Sequence, residues 1–212
     1  MKHQDCIDNY RDLPVGKYEE IVRLCNEEMT EVDRKVAILA ILTGKTEDEI
    51  LKLPLPTFTE YSAKSRFLEH ECPENLIPGV SRSYHLGGFV LLPVTDIRKI
   101  TAAEFIDFQE FSKQKETKMV EMLSCFLVPR GMDYGEGYDV LEVHQAIREE
   151  MSVAEMLALI AFFFGRFIKS SRHIATCSIR MMRKKDPEKA KEMEAKYKEM
   201  VDSVKGGVGL RM

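Results

Sequence analysis

The segment 126–139, FLVPRGMDYGEGYD, holds three glycines and a proline between two helical patterns, a composition that could build a phosphate-binding loop. A phosphate site needs backbone amides at a helix N-terminus and usually a lysine that neutralises the charge. Here the glycines are interleaved with Asp133, Glu136 and Asp139, which would repel phosphate, and no Gly-Lys-Ser/Thr follows. The pattern favours a connecting loop, in which glycine adopts backbone conformations that other residues avoid.

A second possible nucleotide signature is Gly44-Lys45-Thr46, which has the form of the end of a phosphate-binding loop. The complete motif requires a glycine five residues earlier, and that position is Leu39, inside an amphipathic helical pattern. The match therefore fails. We predict that Thr46 caps a helix instead.

Metal and nucleophile chemistry is weakly supported by the histidines and cysteines. His70 and Cys72 are close, but no second close pair of ligands accompanies them, and zinc sites use four ligands at short, paired spacings. No local signature places a base beside an activated serine or cysteine. The five cysteines are scattered, as expected of buried thiols in a reducing compartment. We therefore expect no catalytic residue, no metal and no cofactor.

Charge and hydropathy argue against nucleic-acid and membrane functions. The net charge of −4 gives no global field that attracts a polyanion. A helix-turn-helix over 31–69 would place only Lys64 and Arg66, against Glu60 and Glu69, on its reading helix. The longest apolar run, 156–164, is far shorter than the roughly 20 residues of a membrane span. The polar N-terminus shows no signal peptide, so we expect a cytoplasmic protein.

The elements that position these residues are mostly helices. Apolar periodicity predicts helices over 17–29 and 31–42, and a further helix over 116–127. Four capping boxes, at Thr46, Thr57, Thr101 and Ser152, open predicted helices near 47–53, 57–69, 102–112 and 153–173. The pair Gly87-Gly88 predicts a β-hairpin over 80–94. The predicted class is mainly α (α+β), a helical domain with one small hairpin.

The chain divides by composition near residue 182. We predict a globular domain over 1–182, followed by a charged terminal helix and a flexible, glycine-rich tail over 183–212. The terminal helix begins at Asp186 and Pro187, and its apolar residues follow a short heptad spacing: Ala190, Met193, Tyr197, Met200 and Val204. Either a solvated helix or a helix that docks on a partner fits this spacing.

The segment 153–168, VAEMLALIAFFFGRFI, is apolar around most of a helix. Such a helix lies either at the centre of its own domain or against another chain. Since Phe162, Phe163 and Phe164 point in three directions, a homo-oligomer contact or a client helix could cover them.

Four stretches resemble small proteins of tailed bacteriophages, the tail assembly chaperones and neighbouring virion proteins. They are 35–58 (KVAILAILTGKTEDEILKLPLPTF), the hairpin leading into 96–111, the loop 126–139, and the helix with 162–168 (FFFGRFI). The resemblance implies a non-enzymatic protein of the host cytoplasm that binds the hydrophobic, helical tape measure protein. It leaves open a structural virion component, a tail or connector adaptor subunit.

On this resemblance, we expect the client to contact an apolar surface on the last core helix and the terminal helix. The predicted partner-binding residues are Met156, Leu159, Phe163, Phe167, Met193, Tyr197 and Met200.

Overall fold

A computed structural model describes residues 6–94, 96, 100–112, 118–163 and 165, and also 188, 189, 191, 194, 195 and 198. These residues form eight α-helices, two short 3-10 helices and a three-stranded antiparallel sheet, which confirms the predicted mainly α, α+β class. The helices are α1 (Val15–Cys25), α2 (Glu31–Thr43), α3 (Glu47–Leu51), α4 (Leu55–Lys64), α5 (Ala102–Ser112), α6 (Met119–Ser124), α7 (Val140–Glu150) and α8 (153–163). The 3-10 helices are Ser65–Glu69 and Glu74–Leu76, and the strands are β1 (Tyr84–Leu86), β2 (Phe89–Pro93) and β3 (Leu127–Pro129).

Three of the four predicted capping boxes form. Thr46, Thr101 and Ser152 each accept from the backbone N–H three residues on, and the Glu at that position accepts from the backbone N–H of the cap. The fourth prediction, Thr57, is wrong because α4 begins two residues earlier, with Pro54 as its N-cap. Proline at the start of a helix loses no intrahelical bond and has a suitable φ, so the prolines set this helix start.

The glycine pair builds the predicted hairpin between β1 and β2. Gly87 and Gly88 have φ of 55° and 81°, and Leu86 pairs with Phe89 across the turn. Positive φ at both turn positions matches the right-handed twist of the two strands. The turn lies against α7: a Cβ on Gly87 would come within 2.5 Å of the Ala146 Cβ.

The sheet has a third strand that the sequence did not predict. β3 pairs antiparallel with β2, with Leu92 opposite Val128. The helix predicted over 116–127 is observed as α6, which ends at Ser124, so its last residues were assigned wrongly. Pro129 disfavours helical conformation at Val128 and cannot donate a helical hydrogen bond, and the chain extends into β3 instead.

Helix α8 lies in the core, and the segment before α1 holds its first turn. The N–H of Val153 donates to the Leu13 carbonyl at 2.9 Å, and that of Ala154 to the Tyr10 carbonyl at 3.1 Å. These amides would otherwise lack partners at a buried helix start. The N-terminal segment therefore completes the helix that passes through the centre of the domain.

The charged C-terminal segment is described only in part. Residues 188, 189, 191, 194, 195 and 198 are helical and exposed. Met193, Tyr197 and Met200 lie outside the described residues, as does the glycine-rich tail. The division near residue 182 stays a prediction.

Candidate functional site

The predicted contact surface on α8 is buried inside the domain. Met156 and Leu159 are fully buried, and Phe163 is 4% exposed. The ring of Phe163 stacks on that of Phe126 with centroids 4.3 Å apart, and Phe126 also contacts Phe108 of α5 at 4.8 Å. These three residues belong to the core and cannot form the exposed face that the prediction requires. Phe167 lies outside the described residues.

Exposed apolar side chains occur instead at the joint between α3 and α4. Leu51 and Leu55 are 66% and 76% exposed, and Pro54 and Pro56 beside them are also exposed. We call residues 51–56, LKLPLP, the leucine elbow. Because α3 has five residues and uses Ile50 to reach the core, its other apolar side chain is left facing outward.

A cleft of about 660 Å³ lies between α1 and α7, and two members of a partly buried ionic network, Glu19 and Arg148, line it. The Arg148 guanidinium bridges two carboxylates, with 3.3 Å to Glu19 Oε2 and 3.2 Å to Glu121 Oε1. Lys118 Nζ also lies 2.9 Å from Glu121 Oε1, and the Val120 N–H donates to Glu19 Oε1 at 3.1 Å. Glu19 thereby caps α6, whose own N-cap residue, Lys118, makes no side-chain cap bond.

The two carboxylates of this network titrate differently. Burial raises the pKa of Glu19 above its ordinary value, although Val120 and Arg148 oppose the rise. For Glu121, burial alone would raise the pKa. The hydrogen bond from Lys118 and the charge of Arg148 outweigh burial, so the net pKa of Glu121 is lowered. Diverging carboxylate pKa values occur in acid–base sites and in structural ion pairs alike. Here both carboxylates are held by one guanidinium, so the network is explained by the packing of three helices.

A serine and a histidine meet in the core, a pairing that the sequence did not reveal. Ser124 Oγ donates to the Glu121 carbonyl at 2.8 Å and lies 2.8 Å from His144 Nε2. In the tautomer with a proton on Nε2, the His144 N–H donates to Ser124 Oγ while the Ser124 hydroxyl donates to the Glu121 carbonyl. Burial lowers the pKa of His144, consistent with a neutral ring. In this arrangement the pair contributes to packing, because activation of a serine nucleophile needs donation in the opposite direction.

The second buried chain of polar groups ties the glycine loop to α5. Tyr134 donates to Asp107 Oδ2 at 3.1 Å, and its hydroxyl lies 3.6 Å from Cys125 Sγ. Burial raises the pKa of Cys125 to about 11, so the thiol stays protonated at neutral pH. Burial and the adjacent Cys125 also raise the pKa of Tyr134. The contacts of Tyr134 with Asp107 and Cys125 hold the loop against α5.

The remaining candidates from the sequence do not converge on a site. His70 uses its backbone carbonyl to accept from the Tyr10 hydroxyl at 2.8 Å, and the Cys72 thiol is directed at the Pro73 carbonyl. In the described chain, no three or more His, Cys, Asp or Glu residues are arranged to hold a metal. The glycines at 131, 135 and 137 all have positive φ, which confirms that the loop needs them for its conformation.

Among the described residues, we find no helix with both the length and the apolar character to cross a membrane. No protein-family model, curated protein or solved structure matches this chain.

Proposed function

We propose that this protein is a non-enzymatic, tail assembly chaperone-like protein. It binds a hydrophobic helical client, the tape measure protein, in the cytoplasm of a bacterial host during virion morphogenesis. The observation that supports the proposal is the leucine elbow, an exposed apolar joint inside 35–58, one of the four stretches on which the resemblance to these chaperones rests. Helix α8, which the sequence suggested for this role, has its predicted contact residues Met156, Leu159 and Phe163 buried in the core.

The elbow has the chemistry for holding an apolar helix. Burial of Leu51 and Leu55 against a client would contribute roughly 1.5–3 kcal/mol for each side chain. The prolines at 54 and 56 restrict the backbone, so little conformational entropy is lost when the client binds. A stable interface buries about 1,200–2,000 Å², which is more than the elbow offers. The client must therefore also cover the exposed face of α4 that begins at Thr59.

A non-enzymatic role agrees with how the reactive side chains are used. Ser124 and His144 satisfy each other and a backbone carbonyl in the core. The Cys125 thiol has a raised pKa and packs beneath the glycine loop. Each of these groups has a structural role that accounts for its position.

Co-expression with fragments of the tape measure protein tests the proposal. The wild-type protein should increase the soluble fraction of the fragments, and the double variant Leu51→Ser/Leu55→Ser should not. Leu141→Ser is the matched control, because Leu141 is 73% exposed on α7, away from the elbow. If the elbow variant solubilises the fragments as well as the wild type does, client binding by the elbow is wrong.

The elbow would equally suit a permanent subunit contact, which is the structural virion alternative. Mass spectrometry of purified particles separates the two functions. A chaperone should be missing from mature virions, whereas an adaptor subunit should be present in fixed stoichiometry.

A further inference from the structure

We draw no further inference here: the strongest candidate, the cleft between α1 and α7 where the first turn of α1 lies beside Lys17 and Arg148, rests on a helix N-terminus alone, because Arg148 is already paired with Glu19 and Glu121 and nothing else in the described residues points to a ligand there.

Discussion

Helix α8 and the leucine elbow differ in how far their apolar side chains are exposed. The apolar run of α8 is the longest in the chain, and its Met156 and Leu159 are fully buried. The elbow carries two leucines among prolines and lysine, and both leucines are largely exposed. Continuous hydrophobicity marks what a domain encloses, and a contiguous exposed apolar patch outside such a run is the better sign of a partner.

The difference in burial between α8 and the leucine elbow is tested most directly by truncating one leucine in each region. Leu159→Ala should lower the free energy of unfolding by about 2–5 kcal/mol, because it leaves a cavity in the core. Leu55→Ala should change it by less than about 0.5 kcal/mol. Urea denaturation of both variants measures the difference. Equal losses would mean that the elbow is part of the folded core.

The hairpin turn, which lies against α7 at Gly87, can be tested next. Gly88→Ala should cost about 1–2 kcal/mol, because φ is 81° but the space around it is open. Gly87→Ala should cost roughly 1–3 kcal/mol more, because its Cβ would overlap the Ala146 Cβ. Thermal unfolding of the two variants measures the gap. Identical losses would show that the turn does not pack on α7.

Disruption of the ionic network around Arg148 should destabilise the protein less than Leu159→Ala and more than Leu55→Ala. Glu19→Ala should lower stability by about 1–3 kcal/mol, since it removes a partner of Arg148 and the acceptor for the Val120 N–H. The neighbouring Glu20 is exposed, so Glu20→Ala should have little effect. Glu19→Gln should fall between them, because its amide oxygen can still accept from Val120. Urea denaturation ranks the three variants, and a large loss with Glu20→Ala would contradict this assignment.

The buried His144 should make the free energy of unfolding depend on pH. Burial lowers the pKa of His144 below its ordinary 6.5. As the pH falls below 6.5, His144 in the unfolded chain binds a proton before His144 in the native protein does, so the free energy of unfolding decreases. The loss reaches about 1.4 kcal/mol for each unit by which the pKa is lowered.

His144→Gln should remove this part of the pH dependence while the carboxylates of the network titrate as before. Unfolding of both proteins, measured between pH 8 and 5, isolates the histidine because Glu19, Glu121 and Arg148 are common to both. Parallel curves would mean that the pKa of His144 is the same in the native and unfolded states, which would contradict the lowered pKa.

Local signals in the sequence predicted local structure well. The boxes at Thr46, Thr101 and Ser152 work because every partner lies within one turn of helix. The Gly87-Gly88 turn works for the same reason. The Thr57 box failed because Pro54 offered the chain an earlier start for α4.

Contacts between segments that are distant in the sequence could not be predicted from local sequence patterns. The pairing of β2 with β3 and the bridge from Glu19 to Arg148 each depend on how the helices pack. The apolar pattern of α8 is the same for a core helix and for an interface helix, so periodicity could not decide between them. Leu51 lay inside the helix predicted near 47–53, and Leu55 lay in the proline break before the next predicted helix, so neither pattern marked them as an exposed pair.

The carbonyls of Tyr10 and Leu13 accept hydrogen bonds from the first turn of α8, and this pairing limits when folding can be completed during synthesis. The two carbonyls leave the ribosome early, but their donors, the amides of α8, are synthesised only after α1 to α7. Contacts of such long sequence separation slow folding. We expect the nascent chain to remain open to proteases and to other polypeptides until α8 emerges and closes it.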